Sequence, residues 1–182
     1  MRILPFLATL SFLAAPLAAQ VTGTVTDETG NTDITVAIPP FATPADVPNP
    51  AGNTAELGRK IAEIMAADLR NADGFTPIGP GGLRVITMNE VTAPAFGEWE
   101  GKGAEHLVHG FVRANPDDTL TIGCYLYDIG LKSEMVRKGF VVGPRDWRRA
   151  AHKCADSLYS RLSGENPFFD SRIAYIAETG PK

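Results

Sequence analysis

The chain has 182 residues, of which 44% are hydrophobic and 21% charged, and its formal net charge is −4 with an isoelectric point near 5.4. This composition is that of an ordinary globular domain and excludes fibrous and low-complexity chains. The acidic balance and the lack of long runs of like charge give no electrostatic signature for nucleic acid or for an anionic membrane surface. We therefore expect one soluble domain without a nucleic-acid partner.

The first 19 residues have the features of a secretory signal peptide. Arg2 supplies the positive start, and the apolar run of residues 3–15 that follows is short for a membrane span. Small residues around Pro16 place cleavage after Ala19, to within one residue, and no cysteine follows to indicate a lipoprotein. We expect a bacterial periplasmic protein that has no membrane insertion after cleavage.

The next segment, residues 20–33, has strand-forming residues but no continuous apolar face, and it ends in a turn-rich stretch. From Ile34 the pattern changes. Ile34, Val36 and Ile38 alternate with small or polar residues and predict a first core strand that the following prolines end.

A helix is predicted after the proline-rich loop of residues 42–52. Asn53 and Glu56 have the spacing of a capping box. The apolar residues that follow recur at helical spacing and are Leu57, Ile61, Ile64, Met65 and Leu69. The helix ends near Asn71, a short edge strand follows at residues 75–78, and residues 95–102 can form a short helix.

Three strands follow one another at residues 106–112, 120–127 and 134–142, and the turns between them predict antiparallel pairing. A second long helix then begins at Pro144, with Asp146 in its first turn, and ends at Gly164. These elements predict an α+β fold in which a mixed five-stranded sheet carries two main α-helices.

Catalytic and metal sites are not indicated. His106 and His109 are three residues apart in a strand, so their side chains face opposite sides and cannot share a metal ion, and His152 lies on a helix. Glu56, Glu63 and Asp68 are placed on the polar, solvent-facing side of the first helix. There is no phosphate loop, nucleophile elbow or dinucleotide motif, so we predict no enzyme activity, metal or cofactor.

The tryptophans, Trp99 and Trp147, stand at element boundaries, where they are typical of core residues. A different interpretation is a glycan-binding module that uses Trp99, Tyr125 and Tyr127.

The two cysteines, Cys124 and Cys154, fall on the apolar faces of a strand and a helix, and an oxidising periplasm would allow a disulfide between them. The alternative, two small buried thiols, stays open because the sequence does not fix the distance between their Cα atoms.

The C-terminal residues 171–179 predict a strand, yet the chain stops three residues later, before anything that could pair with it. This indicates a truncated chain, and we expect that removing everything after Gly164 costs little stability.

Several segments in order resemble the N-terminal domain of the TolB family of the Tol-Pal envelope system. They are Ile64-Met-Ala-Ala-Asp-Leu-Arg-Asn71, Phe75-Thr-Pro-Ile78, Trp99 before the strand of residues 106–112, Leu126-Tyr-Asp128 and Arg172-Ile-Ala-Tyr-Ile176. The resemblance implies a six-bladed β-propeller after this domain, whereas no repeat of that kind is present here. It divides the chain into a signal peptide (1–19), a mobile partner-binding segment (20–33), an α/β domain (34–166), and a linker with the first strand of an absent propeller (167–182).

The same resemblance implies a non-enzymatic adaptor. Members of the family bind the C-terminal domain of TolA through the mobile N-terminal segment and the lipoprotein Pal mainly through the propeller, and they support outer-membrane integrity and constriction at cell division. The segment corresponds here to Gln20, Val21, Thr22, Gly23, Thr24, Val25, Thr26, Asp27 and Glu28. Addition of this strand to a sheet edge suits such binding.

Two features of the sequence leave other interpretations open. Thr24 and Thr26 stand where a more aliphatic alternation is expected, so that TolA binding is either weaker or uses Val21 and Val25 as its only anchors. A stand-alone envelope domain of the CsgG or LpoB type is the other candidate, although it normally carries a lipidation cysteine that is lacking here.

Overall fold

The computed structural model of the protein describes residues 33–171, and the fold below is that of this part of the chain. It is the α+β fold that the sequence predicts, with five strands and two long helices. In chain order the elements are β1 (Ile34–Ala37), α1 (Thr54–Arg70), β2 (Phe75–Ile78), α2 (Phe96–Glu100), β3 (His106–Ala114), β4 (Leu120–Asp128), β5 (Ser133–Val142) and α3 (Trp147–Ser163).

The five strands form one mixed sheet in the order β2-β1-β3-β4-β5. Strand β1 pairs in parallel with β2 on one side, where Ile34 lies opposite Phe75, and with β3 on the other, where Val36 lies opposite His106. Strands β3, β4 and β5 pair antiparallel in sequence, as predicted. The first strand therefore lies inside the sheet, and β2 and β5 are its two edges.

One face of the sheet packs against α1 and α3. The helical spacing of the apolar residues places Leu57, Ile61 and Leu69 on the buried side of α1, where they contribute to one core with Val108 and Ile122 of the sheet. None of the helices within residues 33–171 combines the length and hydrophobicity that a membrane span requires.

The other face is covered by α2 and the long loop that surrounds it, residues 79–105. Trp99 of α2 is fully buried there against Leu107 and Tyr127 of the sheet. Trp147 is also buried, at the start of α3, so both tryptophans are core residues as predicted. The sequence pattern did not predict this second layer, because loop residues have no periodicity that reveals what they cover.

The predicted capping box at the start of α1 is wrong. Asn53 makes no side-chain cap hydrogen bond, and Glu56 pairs with Lys60 one turn ahead, at 2.6 Å. The hydroxyl of the buried Thr54 instead fixes the preceding loop, since it donates to the carbonyl oxygen of Ala45 at 2.9 Å and accepts from the amide of Val47 at 3.1 Å.

The ends of α3 differ in how well they were predicted. Pro144 and Asp146 lie before the helix rather than inside its first turn, and the helix begins at Trp147. Gly164 ends it as predicted, because its φ of 76° is a left-handed conformation that glycine adopts without steric cost.

Candidate partner-binding site

The nine residues of the predicted binding segment, residues 20–28, lie outside the described part of the chain. The structure shows instead where that segment joins the domain, at Asp33 and the first residues of β1. Strand β1, which begins one residue later, is an interior strand of the described sheet, between β2 and β3.

The start of β1 is held by a set of short hydrogen bonds. One carboxylate oxygen of Glu105 accepts from the amide and the hydroxyl of Thr35, at 3.0 and 3.1 Å, and the amide of Glu105 donates back to the Thr35 hydroxyl at 3.1 Å. These bonds lower the pKa of Glu105. On the other side the amide of Ile34 donates to the carbonyl oxygen of Gly74 at 2.9 Å. The strand therefore has a fixed beginning to which the binding segment is attached.

A pocket of about 510 Å³ opens beside this attachment point. Its acidic lining residues are Glu100, Glu105 and Asp128, and Ile34 and Ile129 supply apolar surface. His106 also lines it, and burial lowers the pKa of its imidazole, against the opposing effect of Asp128 and Glu105. The start of β1 thus lies next to an acidic pocket.

A second group of polar residues, on the loop-covered face, has a structural role. His109 is fully buried, and its Nδ1 donates to the carbonyl oxygen of Glu90 at 2.6 Å, while the hydroxyl of Tyr127 donates to the carbonyl oxygen of Val91 at 2.7 Å. Burial lowers the pKa of His109 to about 4, so the ring is neutral at pH 7. These two bonds fasten the covering loop to the sheet.

Arg84 closes the same loop from outside. Its guanidinium bonds the carboxylates of Glu98, at 3.1 Å, and of Glu90, at 3.0 Å. The hydrogen bond from Arg84 lowers the pKa of Glu90 to about 2. Sequence reasoning missed this cluster, because the three residues lie up to 14 positions apart in a segment without periodicity. It considered His109 only as a possible metal ligand and found it on the side opposite His106.

The residues considered for catalysis are dispersed. His106 and His109 face opposite sides of β3, and His152 on α3 places its Nδ1 2.7 Å from a carboxylate oxygen of Asp68 on α1. The prediction that Asp68 faces solvent is therefore wrong: the two helices bring it against His152, and burial raises its pKa. Within residues 33–171 no three His, Cys, Asp or Glu side chains are grouped so that they could hold a metal ion.

A sugar-stacking surface is contradicted by the burial of its proposed residues. Trp99 is 0% exposed and Tyr127 is 3% exposed, which leaves only Tyr125 with a partly accessible ring. Stacking on a glycan needs an open aromatic face, so this interpretation has no support in the described residues.

The two cysteines face each other across the core between β4 and α3. The structure joins Cys124 to Cys154 by a disulfide, with the Cα atoms 6.1 Å apart and both side chains fully buried. This separation lies within the range of roughly 4.4 to 6.8 Å that a disulfide requires.

Comparison with known proteins places these features in a family. Residues 23–135 match the family model described as the TolB amino-terminal domain. The chain is 53% identical over 182 aligned residues to the Tol-Pal system protein TolB 1 of Novosphingobium aromaticivorans, and this alignment covers 93% of the chain and 40% of that protein. It is 62% identical over 148 residues to the TolB of Sphingopyxis alaskensis, covering 81% of the chain and 32% of the relative.

A solved structure has the same fold. The crystal structure of TolB from Acinetobacter baumannii superposes with a TM-score of 0.55 at 20% identity, over 72% of this chain and 29% of that one. The chain thus spans about a third to two fifths of the length of the curated relatives that it matches.

Proposed function

Since the chain belongs to the TolB amino-terminal domain family, we propose that it is the partner-binding domain of a periplasmic, non-enzymatic adaptor. Residues 20–28 bind the C-terminal domain of TolA, and Pal is bound mainly by a propeller that follows this domain in the full-length protein. Through these two partners the protein supports outer-membrane integrity and constriction during cell division.

The attachment of the segment to β1 is the observation that carries this proposal. The bonds between Thr35 and Glu105 fix the beginning of the strand, and only four residues separate the segment from Asp33. A partner bound by residues 20–28 is therefore tethered through these four residues to the start of β1.

We propose strand addition as the mode of binding. In an extended strand successive side chains alternate between faces. Val21 and Val25 then share one face, and Thr22 and Thr24 share the other. Main-chain hydrogen bonds to the edge of a TolA sheet supply affinity, and the two valines supply the apolar contacts.

The test is calorimetric titration with the TolA C-terminal domain, beside thermal melting. Deletion of residues 20–28 should abolish binding and leave the melting temperature unchanged. The double variant Val21→Asp/Val25→Asp should lose most of the affinity, whereas the matched control Thr22→Asp/Thr24→Asp, which adds the same charge on the other face, should retain more. Undiminished TolA affinity in the deletion variant would contradict the proposal.

A further inference from the structure

Nearly half of the 17 Lys and Arg side chains lie in one segment, although the chain as a whole is acidic. This segment, residues 132–161, includes β5 and most of α3, and it contains eight Lys and Arg side chains against three Asp and Glu side chains. The rest of the chain has nine against eighteen. The acidic average composition therefore does not reveal this local excess of positive charge.

Most of these cations have no carboxylate partner among residues 33–171. Arg137 is paired with Glu134 at 2.7 Å, and Arg149 is paired with Asp170 at 2.9 Å. The other six make no ion pair with a described residue and are Lys132, Lys138, Arg145, Arg148, Lys153 and Arg161. A surface of this kind attracts anions, because the unpaired charges are not neutralised within the domain.

These cations follow an unpaired strand edge. Strand β5 is the last strand of the sheet, and within the described chain it pairs only with β4 over its ten residues. The main-chain donors and acceptors of its outer side are therefore open to another strand.

Two pockets lie between β5 and α3, and we call them together the β5–α3 groove. One pocket, of about 280 Å³, includes Val142 and Lys153, and another, of about 420 Å³, includes Lys138, Ser160 and Arg161. The Ser160 hydroxyl is buried without a hydrogen-bond partner among the described residues. Two carboxylates also line these pockets, Asp156 in the larger and Asp146 in the smaller, and neither forms an ion pair with a described cation. The carboxylate of Asp156 accepts from the amides of residues 169 and 170.

We propose that this β5–α3 groove binds an extended, acidic segment of a partner protein, which adds as a sixth strand beside β5. Lys138 faces the same side of the sheet as Cys124, which is the side covered by α3. Every second side chain of the added strand lies over that side. Its carboxylates then meet Lys138, Lys153 and Arg161, and its main chain pairs with β5.

The charges select this occupant over two others. A second copy paired through β5 would bring the same lysines and arginines together, and like charges across a sheet edge oppose association. A membrane of anionic lipids would use the cations alone and would leave the main-chain groups of the β5 edge unpaired. An acidic strand pairs with the cations and also with the main-chain groups of the β5 edge, and its site includes none of residues 20–28 of the proposed function.

The probe is a blocked ten-residue peptide of alternating Glu and Val, titrated into isotope-labelled protein at low ionic strength and followed by nuclear magnetic resonance. We expect saturable changes of chemical shift confined to β5 and the facing side of α3, together with slower hydrogen exchange of the β5 amides. Binding should weaken as salt is added. A peptide of alternating Lys and Val should not bind. N-methylation of alternate residues in the acidic peptide, which removes main-chain donors, should weaken it strongly.

Two protein variants complete the test. Lys138→Glu/Lys153→Glu should weaken binding at least about tenfold, because two attractive charges become repulsive. The matched control Arg59→Glu/Lys102→Glu makes the same change in net charge away from the groove and should stay within about twofold of the unaltered protein. Deletion of residues 20–28 should leave peptide binding intact, which separates this proposal from the TolA proposal.

The proposal is overturned if the acidic peptide does not bind, if both double variants lose affinity equally, or if the N-methylated peptide binds as well as its parent. It is also overturned if the protein binds phosphatidylglycerol vesicles in a Lys138-dependent manner but does not bind the acidic peptide. In that case the groove is a lipid-binding surface.

Discussion

At the scale of single residues, His109 connects the packing of the covering loop to pH. Its pKa is about 4 in the fold and 6.5 in the unfolded chain. Between these values the unfolded state binds more protons than the folded state, so the free energy of unfolding falls as the pH falls through this window. The contribution of the neutral His109 ring to the free energy of unfolding is fully present above pH 6.5 and is lost as the pH approaches 4.

We therefore expect acidification from pH 7 to 4.5 to remove about 2 kcal/mol of stability through His109 alone. In His109→Phe this part of the pH dependence should disappear, although the lost bond to Glu90 lowers stability at every pH. Urea denaturation of both proteins at the two pH values measures the difference. An equal pH dependence in the two proteins would assign the acid sensitivity to other groups.

The disulfide is the second residue-scale prediction. We expect no free thiols in protein prepared from the periplasm under denaturing, non-reducing conditions. Reduction should lower stability by roughly 3 to 4 kcal/mol, because the bond between Cys124 and Cys154 closes a loop of 30 residues in the unfolded chain. Two reactive thiols per chain would refute the bond, and Cys124→Ser/Cys154→Ser, measured with and without reductant, is the control for effects of the reductant elsewhere.

At the scale of elements, the close approach of the chain to β3 depends on a glycine. The ring of Phe41 lies directly over Gly110, where a Cβ atom would overlap it. The amide of Ala42 donates to the carbonyl oxygen of Gly110 at 2.9 Å, which fixes this approach. A side chain at position 110 therefore forces the segment after β1 away from the sheet.

Gly110→Ala should destabilise the protein by about 1 to 3 kcal/mol, because the buried ring has no space into which to move. The matched control is Gly139→Ala on β5, where a Cβ atom meets nothing within 4 Å, and its stability should change little. Thermal or urea unfolding of the two variants measures this difference in stability. Equal losses of stability would mean that the strand propensity of alanine, and not the contact with Phe41, causes the effect.

On its exposed side the covering loop is held by the ion pairs of Arg84 with Glu90 and Glu98. Arg84→Gln should speed hydrogen exchange in residues 84–100 and cost about 1 kcal/mol, since these ion pairs are partly exposed. Lys102→Gln, also in the loop and unpaired in the described chain, is the matched control. If exchange rises equally in both variants, the guanidinium does not hold the loop.

At the scale of the whole molecule, residues beyond the predicted domain boundary at 166 pack on α3. The amides of Phe169 and Asp170 donate to the Asp156 carboxylate at 2.7 and 3.1 Å. The Phe169 ring lies 5.5 Å from that of Tyr159. Residues 168–170 thus pack on α3, so the expectation that truncation after Gly164 costs little is replaced by the opposite one.

Truncation after Gly164 should lower stability by about 2 kcal/mol or more, through lost aromatic burial and unpaired groups on α3. Truncation after Ser171, which removes the proposed start of the propeller, should change it little. Melting curves of the two truncated chains and of the whole chain measure these changes in stability. A large loss of stability on truncation after Ser171 would mean that residues 172–182 stabilise this domain.

The sequence by itself determined which segments are helices and strands, because apolar periodicity is a local property, and it determined the family through the order of short motifs. Tertiary structure alone decided that β1 lies between β2 and β3, that Asp68 meets His152, and that Trp99 closes a second layer. The tertiary structure also brought the cations of β5 and α3 together at the β5–α3 groove. The physical reason is that contacts between distant segments follow from how the faces of helices and strands pack together, and a linear pattern of residues carries no record of which faces meet.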